Sequence, residues 1–309
     1  MTDSLNPLQQ DIIDSLGIPS DWSPLPPSVI SEAETQLIEA LEPVAASFSR
    51  DDSLRVTKHM LATVHGCEAH FLESRRAPFA WNLNTVRGTI AHKGIELALN
   101  WRGAVLPADL ADAAFLSIME NPRESASEFL HSLEPHEEAE LRGTVVVYLT
   151  TFLECFPPLK AAWKPVVEYP VTYSLFGGAI VLSARMDLVI GGPGRKVLLD
   201  VKTGRIMPVH RDDLRFYALV ESLRSRQAPR QLGTYSLEAA RLDEEPVTEG
   251  LLQSAVKRTA AGTALIADLV TGVKAPDVRP GAQCRWCPLN ETCEQGVRHL
   301  RTLAGDDDE

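Results

Sequence analysis

No stretch of the 309-residue sequence approaches the run of about twenty uncharged apolar residues that a helix needs to cross a bilayer. The sequence also lacks a basic segment followed by an apolar core near its start, where MTDSLNPLQQDIID is acidic. A membrane-spanning helix and a secretory signal peptide are therefore not expected. The sequence predicts a cytoplasmic protein with no membrane partner.

Positive charge is not in excess either. The formal net charge is −12, because 42 acidic residues outnumber 30 basic ones. A field of that sign argues against a protein that coats nucleic acid electrostatically. It does not exclude an enzyme that reaches a phosphate group through a bound metal ion.

Cysteine is scarce, with five residues in the whole chain. An odd number in a cytosolic protein makes a disulfide framework an unfavourable interpretation. The sequence also contains no G-x-x-x-x-G-K-[ST] motif for nucleotide phosphates and no internal repeat. Neither a helicase motor nor a repeat array is therefore expected in these residues.

Three of the cysteines are close together near the end of the chain. The segment PGAQCRWCPLNETCEQG places Cys284, Cys287 and Cys293 in a C-x₂-C-x₅-C spacing. Thiolates at such spacing usually share a metal ion or a cluster, and a tetrahedral zinc ion or a cubane cluster each needs a fourth ligand. Cys67, more than two hundred residues earlier, is available for that role.

Hydrophobic periodicity divides the sequence into helices, then a small sheet, then helices. Residues 54–76 are predicted to form a helix. Strands are predicted in VVEYPVTYSL, AIVLSARMDLVI, KVLLDVK and GTYSLEAARL, which are rich in β-branched and apolar residues. The pattern predicts an α/β fold with a small mixed sheet flanked by helices, a helical N-terminal region over residues 1–50, and a cysteine-bearing tail. Residues 301–309 are expected to form an acidic end.

Two of these strands carry the acidic residues that raise the question of chemistry. The turn signal GGPGR joins them, and a turn centred on Pro193 and Gly194 places Asp187 opposite Asp200. Lys202 shares their face of the sheet, because side chains two residues apart project to the same side. Two opposed carboxylates repel each other, and a divalent cation bound between them would offset that repulsion most simply. Carboxylate oxygens are ligands that suit Mg²⁺ or Mn²⁺. A structural ion pair at a strand end is the alternative that this pattern leaves open.

The whole motif resembles the PD-(D/E)XK nuclease superfamily, and more narrowly its RecB-type branch. The resemblance lies in ARMDLVI, a turn, VLLDVKTG and a helix that carries Tyr217, with RGTIAHKGIE upstream similar to the first motif of that branch. It implies a restriction-endonuclease-like core over residues 51–300. It also implies a deoxyribonuclease that uses Mg²⁺ or Mn²⁺ to hydrolyse phosphodiester bonds in DNA repair, recombination or defence.

The resemblance assigns roles to individual residues. It implies that Asp187 and Asp200 are metal ligands and that Lys202 is the catalytic lysine. His92 and the carbonyl of Val201 become further metal ligands, and Tyr217 becomes part of the catalytic set. Glu168 in VVEYPV matches a glutamate that is often present one strand earlier.

The sequence departs from the branch pattern at two positions. The glutamine that is expected four residues before Tyr217 is Asp213, and the glycine that commonly stands three residues before Asp187 is Ala184. Asp213 is either an extra metal ligand or a sign of weakened DNA binding.

A subset of the RecB-type branch binds a [4Fe–4S] cluster with one cysteine before the histidine motif and three near the C-terminus. The AddB nuclease domain and the small nucleases of CRISPR adaptation are members. The resemblance implies that Cys67, Cys284, Cys287 and Cys293 hold such a cluster, which would close a very long loop. A zinc ion with four cysteines is the alternative.

The expected partner is DNA, as single strands or ends, cut by an exonuclease that selects structure rather than sequence. Candidate phosphate contacts are Lys58, His59, Arg75, Arg76, Arg185, Arg205, Arg211 and Arg215, of which Arg205 and Arg215 are favoured. Trp81 is a candidate for base stacking or for core packing. A helicase or another repair or defence protein is a possible partner. The alternative function is an inactive DNA-binding or scaffold subunit of a helicase–nuclease complex.

Overall fold

The computed structural model of the protein describes residues 5–101, 103–123 and 125–305. Within those residues it contains a six-stranded sheet and eleven α-helices. This confirms the predicted mixed α/β fold with helices around a small sheet. None of the helices in the described ranges is long and apolar enough to cross a membrane.

Apart from β1, which lies among the first helices, the elements follow the predicted order of helices, sheet and helices. The strands are β1 (Leu54–Thr57), β2 (Val166–Leu175), β3 (Ile180–Ile190), β4 (Val197–Lys202), β5 (Gln231–Ser236) and β6 (Arg241–Pro246). The helices are α1 (Pro7–Ser15), α2 (Pro27–Ala45), α3 (Lys58–Gly66), α4 (Glu68–Arg76), α5 (Leu83–Asn100), α6 (Pro107–Met119), α7 (Ala126–His131), α8 (Pro135–Cys155), α9 (Pro208–Ser225), α10 (Glu249–Val270) and α11 (Glu294–Ala304).

Strand β3 is the centre of the sheet. On one edge it pairs antiparallel with β2 along almost its whole length. On the other edge β1 pairs parallel with Ile180–Ser183, and β4 pairs antiparallel with Leu188–Ile190. The strands β1 and β4 therefore run toward each other along the same edge of β3. Between them, residues 184–187 have no strand partner on that edge, although β2 still pairs with the opposite edge. This gap is where the candidate site lies.

Apolar side chains form two clusters that cover the sheet. Helices α2, α3, α9 and α10 contribute to the first cluster, which includes Leu37, Leu182 and Leu198. Helices α5, α6 and α8 contribute to the second, which includes Leu188 and Leu199. The adjacent strand residues Leu198 and Leu199 enter different clusters, because successive side chains of a strand point to opposite faces. The site between β1 and β4 is thus held by packed helices on both sides.

The helix predicted over residues 54–76 is wrong at its start and in its middle. Residues Leu54–Thr57 form β1, because Leu54 and Val56 alternate with Arg55 and bury their side chains beside β3. Thr57 then caps α3, its hydroxyl accepting from the backbone N–H of Met60 at 3.3 Å. Cys67 has extended backbone angles and separates α3 from α4.

Candidate functional site

The hairpin of β3 and β4 has the predicted register. Leu188 faces Leu199 in the ladder, so Asp187 and Asp200 are the next opposed positions, where the strands part. The backbone N–H of Val201 donates to Oδ2 of Asp187 at 2.7 Å. The Asp187 carboxylate therefore lies against the backbone of β4, next to Asp200.

Three side chains meet in one group beside this gap. The ligand atoms of His92, Glu168 and Asp187 lie within 4.8 Å of one another. His92 Nδ1 is 3.5 Å from Asp187 Oδ1 and 3.9 Å from Glu168 Oε1, and its Nε2 is 2.9 Å from the carbonyl oxygen of Val201. The imidazole and the two carboxylates form a donor set that suits a divalent cation, while the Val201 carbonyl contacts the other ring nitrogen.

The charge on His92 reflects these neighbours. Burial alone would lower the pKa of His92, but the nearby carboxylates, above all Asp187, raise it to about 10. The imidazole is therefore the cation that balances the carboxylates in the protein by itself. A metal ion at the same place would have to take over that role from the proton.

Asp200 is fully buried and meets two ammonium groups. Lys202 Nζ lies 2.6 Å from Oδ2 of Asp200, and Lys58 Nζ lies 3.0 Å from Oδ1. Burial would raise the pKa of Asp200, but Lys58 and Lys202 lower it to about 2. Asp200 is thus ionised and paired, and it lies beside the His92 group without being a member of it.

Glu168 reaches the site through a strained backbone. Its φ is +49°, in the left-handed region that non-glycine residues rarely adopt. Val167 and Tyr169 pair with β3 on either side of it, and Glu168 itself is left out of the ladder. Such strain persists where the surrounding structure enforces it, and it is concentrated at functional sites.

Helix α9 supplies the two other residues of the predicted set. Tyr217 is buried, and the ammonium of Lys58 lies 4.9 Å from the centre of its ring. Asp213, one turn earlier, has Oδ2 at 3.9 Å from Lys58 Nζ. Burial raises the pKa of Asp213 to about 6 and also raises the pKa of Tyr217. Lys58 therefore connects Asp200, Asp213 and Tyr217.

The two arginines favoured as phosphate contacts, Arg205 and Arg215, have different surroundings. Arg215 is engaged by Glu245 of β6, its Nε donating at 3.0 Å. Arg205 is exposed and lines a cleft of about 520 Å³ with Met207, Arg211 and Arg241. Arg205 is therefore the better placed of the two for a phosphate group.

A second cleft lies on the other side of the site. It measures about 600 Å³, and His92, Glu168 and Asp187 form part of its lining. Thr85, Gly88 and Thr89 from the first turns of α5 continue the lining toward the segment before that helix. The metal-ligand group is therefore open to a ligand approaching along α5.

Trp81, the candidate for base stacking, is partly buried in that segment. It packs against the second core cluster, and its indole N–H donates to the hydroxyl of Ser125 at 3.3 Å. Phe79 packs edge-to-face on Trp81 with ring centroids 4.9 Å apart, yet it is 70% exposed. Of these two rings, Phe79 is the one that is exposed to solvent.

The sequence did not distinguish Lys58 as a residue of this site, although it pairs with Asp200 and Asp213. It was one of eight candidate phosphate contacts, and no motif distinguishes it from the others. Its place depends on the pairing of β1 with β3, more than a hundred residues away along the chain. The sequence signal that could have predicted this position is the alternation of apolar and polar residues in Leu54–Thr57, followed by Thr57 as the cap of α3.

The four predicted cluster cysteines come together at a different place. Cys67, Cys284, Cys287 and Cys293 line one small cavity. Each sulfur accepts one backbone N–H, at 3.4 Å from Arg279 to Cys67 and at 3.4–3.5 Å within the tail. Burial and the three other cysteines raise the pKa of the Cys287 thiol. Four inward sulfurs, each with an N–H donor, are typical of thiolates that bind a positively charged group.

The sulfurs are less tightly grouped than the ligand atoms of the first site. Among the described residues, no three cysteine sulfurs lie mutually within 4.8 Å. A zinc ion and a [4Fe–4S] cluster both remain candidates for these four cysteines.

A comparison with protein families places this geometry in a known group. The model of the PD-(D/E)XK nuclease superfamily matches residues 56–294, which include every residue of both sites. No curated protein matches the chain.

Two solved structures are similar to parts of the chain. One is a crystal structure named "Putative exonuclease" from Eubacterium rectale, with 12% identity, a TM-score of 0.45, and coverage of 80% of this chain and 87% of the other. The other is the crystal structure of SSO0001, with 17% identity, a TM-score of 0.32, and coverage of 67% of this chain and 95% of the other.

Proposed function

Because this chain belongs to the PD-(D/E)XK nuclease superfamily, we propose that it is a metal-dependent deoxyribonuclease that acts as an exonuclease on single-stranded DNA or DNA ends. One observation carries the proposal. The ligand atoms of His92, Glu168 and Asp187 converge within 4.8 Å beside the buried pair of Asp200 and Lys202. Metal ligands next to a lysine are what phosphodiester hydrolysis requires.

The metal ion would be held by His92, Asp187, Asp200 and the carbonyl of Val201, with Glu168 as a further ligand. The oxygen-rich donor set suits Mg²⁺ or Mn²⁺. When bound, the ion supplies Lewis-acid activation of the scissile phosphate and of the attacking water.

Lys202 carries the protein's own part of the chemistry. Its ammonium is held 2.6 Å from Asp200 Oδ2, and 24% of the side chain is exposed. From there it orients the attacking water and stabilises the negative charge that develops on the phosphate oxygens. Tyr217 packs behind this centre. The expected products carry 5′-phosphate and 3′-hydroxyl ends.

The preference for single strands is supported by the segment before α5. Phe79 is exposed beside the helix that lines the larger cleft. An exposed aromatic ring stacks on an unpaired base, and a paired base does not offer its face. The proposal places the incoming strand over Phe79 and along α5, with Arg205 on the far side of the catalytic centre.

The cysteine site is proposed to hold a structural [4Fe–4S] cluster in a RecB-type nuclease. The four sulfurs line one cavity and each accepts an N–H, which supports a shared metal group, and zinc with four cysteines stays the alternative. Cluster ligation would join α4 to the tail and so close a loop of more than two hundred residues. A brown protein with absorbance near about 400 nm is expected after anaerobic purification; a colourless protein with one equivalent of zinc would contradict the cluster.

A partner protein in repair or defence would supply the unwinding of duplex DNA. The sequence has no nucleotide-phosphate loop, so unwinding of a duplex would come from a separate helicase. The cytoplasmic location likewise stays a prediction from the sequence.

Cleavage of a labelled single strand tests the function. Linear DNA labelled at the 5′ or the 3′ end is incubated with Mn²⁺ and wild-type protein, Lys202→Ala, or a control in which the exposed Lys160 becomes Ala. We expect shortening of linear strands by wild type and the control, a loss of about 100-fold or more in Lys202→Ala, and no cleavage of a circular strand. Equal activity of wild type and Lys202→Ala would contradict the proposal, and rapid cleavage of the circle would contradict the exonuclease.

A further inference from the structure

We propose that Lys58 is a built-in counter-ion of the catalytic centre, which holds Asp200 when the metal is absent and moves to Asp213 when the metal binds. This inference rests on the proposed function, because it concerns the same metal site. It assigns one purpose to two features that the family pattern leaves unexplained: the extra lysine, and the aspartate that stands where a glutamine is expected.

The sheet topology brings Lys58 into the centre. Lys58 follows β1 directly, and β1 and β4 end toward each other along one edge of β3. The start of α3 therefore points at the end of β4, which carries Asp200 and Lys202. The lysine side chain fills the space between the two strand ends and is 26% exposed.

The ammonium group of Lys58 contacts three residues of the predicted site: Asp200, Asp213 and Tyr217. Its Nζ lies 3.0 Å from Asp200 Oδ1 and 3.9 Å from Asp213 Oδ2, and it stands over the ring of Tyr217. Lys202 takes the other oxygen of Asp200. Both oxygens of the buried carboxylate therefore face an ammonium, and neither is free to bind a metal ion without an exchange.

Electrostatics require one ammonium group to leave Asp200, and Lys58 has a second carboxylate to move to. A divalent ion bound to Asp200 would repel an ammonium a few ångströms away, and the repulsion is larger in a partly buried site than in water. Lys202 belongs to the motif that follows Asp200 in the same strand, whereas Lys58 belongs to another element. Asp213 offers Lys58 a second carboxylate at a distance that a change of side-chain rotamer covers.

The pair also replaces the missing glutamine. A glutamine amide carries both a donor and an acceptor. At this place the donor comes from Lys58 and the acceptor from Asp213. In this interpretation Asp213 is a required partner of Lys58 rather than the mark of a decayed site.

Mn²⁺ affinity in the absence of DNA tests the exchange. Isothermal titration calorimetry compares wild type with Lys58→Met, Asp213→Asn, the double variant, and a control in which the exposed Lys160 becomes Met. We expect Lys58→Met to bind Mn²⁺ about tenfold more tightly, because no ammonium has to be displaced from Asp200. Asp213→Asn should bind about threefold more weakly, because the displaced lysine loses its second partner.

The double variant separates an exchange from a general change of charge. If Lys58 moves to Asp213, the effect of Asp213→Asn disappears once Lys58 is Met, so the two substitutions are non-additive. Additive effects, or a Mn²⁺ affinity in Lys58→Met equal to that of wild type and the Lys160 control, would overturn the inference. If Lys58→Met does not fold, Asp213→Asn decides alone, and an unchanged affinity there overturns it.

Failure of this inference is distinct from failure of the proposed function. A wild-type protein that binds Mn²⁺ and cleaves DNA, with Lys58→Met unchanged in Mn²⁺ affinity, removes only the role of Lys58. A wild-type protein that binds no Mn²⁺ removes both proposals.

Discussion

The catalytic centre and the cysteine site both form where the first helices of the nuclease core meet later parts of the chain, but they are held together differently. In the catalytic centre every described charge has an opposite partner: Asp200 faces two lysines, and His92 faces Asp187. In the cysteine site each of the four sulfurs accepts a backbone N–H, and the sulfur of Cys67 also lies 4.0 Å from the carbonyl oxygen of Asp277. The first site is balanced by the protein's own charges, whereas the sulfurs of the second are hydrogen-bonded to backbone groups.

The cysteine site still has a support of its own. Glu68, which follows Cys67, is fully buried and accepts from the backbone N–H of Asp277 at 3.0 Å and from the ammonium of Lys274. This contact ties the start of α4 to the segment that leads into the tail. The cluster would therefore strengthen a joint that already exists, and its loss should weaken the fold without dissolving the sheet.

The largest expected effect comes from removing one charge of the catalytic centre. Asp187→Asn keeps the size of the side chain but removes a metal ligand and the main partner of His92. We expect cleavage to fall by about 1,000-fold, as measured by a labelled-strand assay. The thermal midpoint, measured by circular dichroism, should also fall at neutral pH, because Asp187 is the main group that raises the pKa of His92. The exposed Asp51→Asn is the matched control. Wild-type cleavage in Asp187→Asn would place the metal elsewhere.

Removing one sulfur should act on stability rather than on chemistry. Cys67→Ser opens the link between α4 and the tail, and by analogy with other cross-links that close long loops it should cost about 2–5 kcal/mol of unfolding free energy. The control is Cys155→Ser, which lies outside the cluster site. We expect cleavage at low temperature to persist. A Cys67→Ser protein as stable as the control would show that the site holds no cross-linking group.

Proton release on metal binding should follow from the charge on His92. Its pKa is raised to about 10, and a metal ligand must be neutral, so Mn²⁺ affinity should rise about tenfold per pH unit from pH 7 toward pH 9. In the absence of metal, the effect of pH on the stability of the fold has the opposite sign: stability falls as the pH rises. The raised pKa stabilises the fold fully below about pH 6.5, and that contribution is lost as the pH rises through about 10. Calorimetry in buffers of different ionisation enthalpy measures the proton, and a pH-independent affinity would contradict this assignment.

The smallest expected effect is on DNA affinity, through the exposed ring of Phe79 before α5. Phe79→Ala should weaken binding of a short single strand by about 1–3 kcal/mol, with no change in affinity for a blunt duplex. Leu106→Ala, another exposed apolar residue, is the control. Fluorescence anisotropy in the absence of divalent ions measures both. Equal loss for single strand and duplex would contradict a stacking role.

The two sites also differ in how far the sequence could predict them. The hairpin of β3 and β4 was predictable, because GGPGR and two apolar strands fix the register that opposes Asp187 and Asp200. The contact of Cys67 with the tail was expected from the resemblance, since no local pattern joins residues so far apart.

The remaining features depend on tertiary structure. The positive φ of Glu168 leaves no mark in VVEYPV, which is a strand-like segment like its neighbours. Lys58 required the pairing of β1, whose four residues are too short to distinguish from the start of a helix. The ion pair of Arg215 with Glu245 likewise needed the position of β6 beside α9.

The most direct test of the central claim is the position of a manganese ion in the protein. Anomalous diffraction from crystals grown with Mn²⁺ locates the ion without reference to activity. We expect a single strong peak in contact with His92, Asp187 and Asp200, with the ammonium of Lys58 moved away from Asp200. A crystal that contains Mn²⁺ elsewhere, with both lysines still on Asp200, would contradict it.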